Sequence, residues 1–241
     1  VPRVLRAGTP VGQRQAARDQ LTYAVDALVA AILAPRCAAC SSILEYPTRG
    51  PVCAACWAEV ESQIPLTCDP GQLGAVERSR SAGRYDGALR HIIHALKYEG
   101  RRSMAGRLGK VLRVAGADVL LDAHCAVPVP LHPWRRLTRG FNQATDLASS
   151  LDLPVVHALW RIRATAPQTG LTGASRRRNV RNAFTISPLL STRVRQTMLH
   201  DRIVLLVDDV RTTGATLDAC AQGLKEAGVS EVRALTLALA E

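Results

Sequence analysis

The sequence predicts an α/β fold, a mostly parallel sheet with helices on both faces, preceded by a small metal-held module. Three observations carry this expectation. From residue 81 onward, short apolar runs alternate with stripes at helical spacing. One run, Ile203–Val207, leads into an acid pair, a glycine-containing loop and a helix. Upstream, Cys37 and Cys40 form one C-x₂-C pair, and Cys53 and Cys56 form a second after twelve residues.

Composition sets the bounds. A chain of 241 residues, 47% apolar and 21% charged, is long enough for one sizeable core and something small beside it. Aromatic residues make up only 4%, so the core must be aliphatic and alanine-rich. The formal net charge is +11, and all but three of the 31 basic residues are Arg (the exceptions are Lys97, Lys110 and Lys225). That balance favours polyanionic partners such as pyrophosphate, nucleotides or nucleic acid. No run approaches the roughly 18 apolar residues that a membrane span needs. Residues 1–20 are basic without the apolar stretch of a secretory signal. They read as a disordered leader, and the protein as cytoplasmic. The sequence leaves a homo-oligomer open.

Residues 21–60 read as a helix plus the four-Cys module. Leu21, Val25, Leu28, Val29, Ile32 and Leu33 form one apolar stripe expected to pack on the adjoining segment. Four thiolates at this spacing suit a tetrahedral structural Zn²⁺ with no open coordination position. Pro47, Gly50 and Pro51 between the pairs give turns rather than a core, so the metal would supply stability. Cys37→Ser should then unfold the module and leave residues 85–241 folded. A redox dithiol and a disulfide framework are the competing readings.

Residues 61–80 read as a polar linker, and residues 81–241 as the main domain. A strand is expected at Ser81–Tyr85, then a helix with Leu89, Ile92, Ile93 and Leu96 inward. A second helix buries Leu108, Val111, Leu112 and Ala115. His91 and His94 share a helix face; solvated histidines and metal ligands are both open readings. The run HCAVPVP, His124–Pro130, reads as a buried strand, followed by a loop carrying Arg135, Arg136 and Arg139. Guanidinium groups there suit bidentate contact with pyrophosphate, and an ordinary solvated surface is the alternative. Val155–Trp160 reads as a strand. Residues 164–182 read as a mobile basic loop able to close over a polyphosphate. Short strands are expected at Ala183–Ser187 and Val229–Ala238, the latter after a helix stop at Gly228.

The strand–loop–helix at 203–217 carries the chemistry. Arg211, Thr212, Thr213, Gly214, Ala215 and Thr216 follow the strand, at the end where open α/β sheets bind ligands. Small residues and a helix start present amides to an anion, and the threonines add hydroxyls. Ionised Asp208 and Asp209 only accept hydrogen bonds, so they suit a vicinal diol or hydrated Mg²⁺ rather than phosphate. Together these describe a ribose 5-phosphate site. A plain capped helix start is the competing reading. The loop is neither a Walker A sequence nor a dinucleotide fingerprint.

VLLVDDVRTTGATL resembles the phosphoribosyl pyrophosphate (PRPP) motif of type I phosphoribosyltransferases. That resemblance implies Asp208 and Asp209 as the ribose acids and the loop after them as the 5-phosphate site. More broadly, residues from about Cys37 onward resemble the ComF family. The Cys pairs carry this likeness, with Tyr85-Asp86-Gly87, Leu96-Lys97-Tyr98, Val127–Pro130, Arg139-Gly140-Phe141-Asn142-Gln143, Gln168, Arg176, Arg177, Arg178, Asn179 and Ala183-Phe184. It implies a type I phosphoribosyltransferase fold with an N-terminal zinc finger. It also implies a flexible loop containing Gln168 and Arg176–Asn179. Two functions emerge: phosphoribosyl transfer from PRPP with Mg²⁺ to an unknown acceptor, or a PRPP- or nucleotide-responsive protein that binds single-stranded DNA during its uptake. No residue stands out as a catalytic base.

Overall fold

The computed structural model describes residues 10–64, 73–131, 140–162 and 183–240. Its centre is a four-stranded parallel sheet in the order β1, β6, β5, β2, formed by Arg78–Arg84, Glu231–Leu239, Ile203–Arg211 and Cys125–Pro128. A parallel bridge from Ala126 to Val155 extends the β2 edge. Strands β3 (Leu159–Arg161) and β4 (Phe184–Ile186) pair antiparallel as a separate ribbon. The expected strand at Val155–Trp160 is therefore divided: its start joins the main sheet and its end joins the ribbon.

Helices cover both faces, as near-continuous apolar strands require. Along β5, Leu205 and Val207 face a core built from α3 (Gly87–Tyr98), α4 (Ala105–Ala115) and α6 (Gln143–Ala148). Val204 and Leu206 face a second core with α8 (Ala215–Glu226), α7 (Thr192–Met198) and the β3–β4 ribbon. The short α5 (Ala117–Leu120) closes the turn before β2. Both cores are dominated by Leu, Val, Ile and Ala, and Cys125 and Cys220 sit in the second as small buried residues.

The N-terminal third departs from expectation in three ways. Helix α1 spans Pro10–Leu33, so the second half of the expected disordered leader is helical. Pro10 at its first position fixes φ for helix entry, and the Gln, Arg and Ala beyond it are good helix formers. Secondly, its apolar stripe does not pack: Leu21, Val25, Leu28, Ile32 and Leu33 are exposed. Among the described residues the tight turn at Pro47–Arg49 and Tyr46 beside it meet α1. Asp26 is buried there and accepts a hydrogen bond from the Thr48 amide at 2.8 Å. Thirdly, β1 begins at Arg78, inside the segment read as linker, and α2 (Ala54–Ser62) runs into that segment from the other side. No helix among the described residues is long and apolar enough to cross a membrane.

The four-Cys module is not a separate body. Leu44, Val52, Trp57 and Val60 belong to the same core as Leu89, Ile92 and Leu237. Glu59 of α2 accepts from the Ala88 amide at the start of α3 at 2.8 Å. The guanidinium of Arg107 lies 4.6 Å from the centre of the Trp57 ring.

Candidate functional site

The site forms where β5 leaves the sheet. The acid pair lies within the strand, which continues to Arg211 rather than stopping at Val207. Strand alternation therefore sends the two acids to opposite faces. Asp209 continues the Leu205–Val207 side and Asp208 the Val204–Leu206 side. The backbone turns at Gly214, whose φ is 74°, the left-handed region where glycine carries no steric cost. Helix α8 starts at Ala215. Thr212 is exposed and Thr213 and Thr216 half-buried, so the loop is open to solvent above a buried base. The first amides of α8 point out of the helix start, where the dipole favours an anion.

Asp209 is 4% exposed and held from two distant elements. Lys97, in the last turn of α3, places Nζ 2.8 Å from its Oδ1. Gln143, the first residue of α6, donates Nε2–H to its Oδ2 at 2.5 Å. Burial alone would lower the Lys97 pKa, yet the charge and hydrogen bond of Asp209, with Asp208 beyond, hold it above the ordinary lysine value. Asp208 accepts from the Asp209 amide at 2.8 Å. Removal from water, with the Asp209 charge beside it, pushes the Asp208 carboxyl up to about 7. The Asp209 amide, Lys97 and then Arg161, at the end of β3, oppose that rise. Arg161 also lines a cavity of about 680 Å³, together with Pro128, Pro130, Asn142, Thr145 and Trp160.

Two further contacts shape the loop. Arg211, expected among the phosphate-loop residues, is buried at the end of β5 and donates to Ser79 Oγ at 3.0 Å. It braces the loop from beneath. Leu73 lies over Gly214, so a Cβ added there would meet its side chain at 3.0 Å. Asp218 in the first turn of α8 accepts from the Ala75 amide at 2.8 Å and ties that segment down. Arg135, Arg136, Arg139, Gln168, Arg176, Arg177, Arg178 and Asn179 lie outside the described residues.

Lys97, Gln143 and Leu73 were not assigned to the site by the sequence. Lys97 did leave a signal. It stands four residues after Ile93, on the edge of the α3 apolar stripe, and is one of three lysines in an Arg-rich chain. Gln143 and Leu73 reach the site only through tertiary packing.

The four cysteines converge. Their Sγ atoms all lie within 4.8 Å of one another, with Cys37–Cys56 at 3.9 Å and Cys40–Cys53 at 3.7 Å. A tetrahedral zinc with Zn–S of about 2.3 Å separates its sulfurs by about 3.8 Å, so the cluster fits that ion. The amides of Ala39 and Cys53 point at Cys37 Sγ at 3.4 and 3.3 Å. Such donors stabilise a thiolate. Ser42 Oγ, 3.0 Å from Cys40 Sγ, holds that thiol down to about 6, while burial pushes Cys56 up. Among the described residues this is the cluster able to hold a metal; His91 and His94 are not part of it. His94 instead packs against Tyr98, with ring centres 4.6 Å apart and planes tilted by 42°.

A parallel sheet with an acid pair and a glycine-started helix at the carboxyl end of a central strand defines a phosphoribosyltransferase-fold protein. Residues 137–240 match the family model described as the phosphoribosyl transferase domain. The chain is 30% identical to competence protein F of Haemophilus influenzae over 216 residues, covering 86% of this chain and 85% of that protein. It is 30% identical to the DNA utilization protein YhgH of Salmonella typhimurium over 215 residues, 76% of this chain and 87% of that protein. It is 27% identical to competence protein ComFC of Bacillus subtilis over 164 residues, 67% of this chain and 64% of that protein. The chain belongs to the competence protein F (ComF) family, with its four-Cys cluster ahead of the transferase-type domain.

Proposed function

We propose that the protein binds PRPP with Mg²⁺ and transfers its phosphoribosyl group to an acceptor, releasing pyrophosphate. The observation that carries this reading is the juxtaposition of Asp208, Asp209 and the Thr212–Thr216 loop at one strand end. The loop amides and threonine hydroxyls take the 5-phosphate, and the acids accept from the ribose hydroxyls. Arg135, Arg136 and Arg139 follow β2 and take the pyrophosphate. Gln168 and Arg176–Asn179, between β3 and β4 in the sequence, would supply further donors to it. Mg²⁺ would neutralise pyrophosphate when bound, and Asp208 and Asp209 are the residues of this chain that would hold it. Pyrophosphate is its own good leaving group, so the protein's work is orientation and charge stabilisation at ribose C1. The cavity beside Arg161 gives the acceptor room. Zn²⁺ held by Cys37, Cys40, Cys53 and Cys56 is structural, and the setting is cytoplasmic.

The second reading is a PRPP- or nucleotide-responsive protein that handles single-stranded DNA. The names of the relatives, competence and DNA utilization proteins, favour it, and so does the net charge of +11. Pyrophosphate release from PRPP across a panel of nucleobases separates the two. Acceptor-dependent release is the expected outcome. PRPP binding without release under any acceptor, combined with a PRPP-dependent affinity for single-stranded DNA, would replace the transferase reading with the second.

A further inference from the structure

The contacts around Asp209 assign a role to Lys97 that goes deeper than the phosphoribosyl reading and rests on it. Carboxylates on consecutive strand residues resist joint ionisation even from opposite faces. Here a cation is already built in. Lys97 Nζ is 2.8 Å from Asp209 Oδ1, and the Lys97 side chain is 16% exposed. It comes from the end of α3, a helix anchored by Leu89, Ile92, Ile93 and Leu96 in the core. Gln143 fixes the other oxygen of Asp209. The charge of Lys97 also reaches Asp208, ahead of that of Arg161.

We propose that Lys97 is a positioning residue that serves as the resident cation of the acid pair, so that the ribose diol of a 5-phosphorylated ribose binds without a divalent ion. Mg²⁺ is then needed for the pyrophosphate half of PRPP and not for the ribose half. Lys97 neutralises Asp209 and, with Gln143, keeps its carboxylate in one orientation. The hydroxyls of the ligand then meet an acceptor whose charge is already compensated. An ammonium suits this better than a guanidinium, being a compact charge that approaches a single oxygen.

The test uses ribose 5-phosphate, which carries the diol and the phosphate but no pyrophosphate. Its affinity is measured calorimetrically for the full chain, wild type, Lys97→Met and Lys97→Arg, in EDTA and in Mg²⁺, with circular dichroism melts alongside. For wild type the two buffers should agree within about threefold. Lys97→Met should bind about tenfold more weakly in EDTA and recover most of that loss in Mg²⁺, because the added ion replaces the missing charge. Lys97→Arg, which keeps the charge but not the compact single-oxygen contact, should lose less than Lys97→Met in EDTA. A merely structural role for Lys97 would weaken binding equally in both buffers. Wild type that needs Mg²⁺ to bind ribose 5-phosphate, or Lys97→Met that binds like wild type in EDTA, would overturn the proposal. If Lys97→Met does not fold, the wild-type comparison and Lys97→Arg still decide it. Wild type that binds neither ribose 5-phosphate nor PRPP in either buffer sinks the phosphoribosyl reading, and this inference with it. Binding of PRPP in Mg²⁺ with the EDTA result reversed sinks the inference alone.

Discussion

The four-Cys module and the β5–α8 unit are both short, local arrangements, yet they are held in different ways. The β5–α8 unit is fixed by burial: Val204–Val207 are fully buried, and the loop is braced from below by Arg211 and from above by Leu73. The module has few buried side chains of its own, and its geometry converges on four sulfurs within 4.8 Å. The transferase-type core can fold on apolar area, whereas the module has four sulfurs that could hold an ion and a face it shares with α3. Because that face is continuous, the module is a cover on the main core rather than an appendage. Loss of the module is then expected to leave residues 85–241 folded but less stable.

The largest effect that would break this comparison is metal removal. Chelation, or Cys37→Ser, should lower the melting temperature of the whole protein by about 5 °C or more, since Trp57 and Val60 leave the core that contains Leu89 and Ile92. Differential scanning calorimetry before and after chelation, with elemental analysis of bound zinc, checks it. An unchanged melt after complete metal loss would mean the module is held by burial alone. Next comes the opposite face. Leu206→Ala should cost about 3 kcal/mol by denaturant titration. That cost should be the same with and without zinc, because Leu206 lies in the core the module does not touch. A cost that depends on zinc would show that the two regions are coupled through the sheet.

A smaller effect is expected at the loop. Gly214→Ala places a Cβ in the left-handed region and 3.0 Å from Leu73. About 1–2 kcal/mol of destabilisation should result, with a loss of phosphate affinity measurable by titration. The smallest effect concerns pH. The Asp208 pKa is raised in the folded protein, to about 7, above its unfolded value. The native state therefore binds more protons than the unfolded one between those values, and this group's contribution falls as pH rises through that window. Asp208→Asn should accordingly raise the melting temperature of the unliganded protein by a few degrees at pH 8 and by less at pH 5. Equal shifts at both pH values would show that the Asp208 charge is not the cause.

Much of the architecture was legible because it is written locally. Alternating apolar runs gave the parallel sheet, the two Cys pairs gave the sulfur cluster, and Asp208 through Thr216 gave the loop. What stayed hidden depends on distant parts meeting. Lys97, Gln143 and Leu73 come from α3, α6 and the segment before β1, and no spacing in the sequence links them to Asp209 or Gly214. Arg211 reads with the phosphate loop because it adjoins the threonines, and the structure buries it at the strand end against Ser79. The stripe on α1 had the right period for packing, yet among the described residues Leu21, Leu28, Ile32 and Leu33 stay exposed. Periodicity tells which face of an element is apolar, not whether a partner exists.

The most direct test of the site is calorimetric titration of PRPP with Mg²⁺ into wild type and into the Asp208→Asn, Asp209→Asn double variant, with the fold of each checked by circular dichroism. The account predicts saturable binding by wild type and at least about a hundredfold loss in a folded double variant, since two charge-assisted contacts to the ribose disappear. Unchanged affinity in the double variant would contradict the assignment of the acid pair as the ribose site.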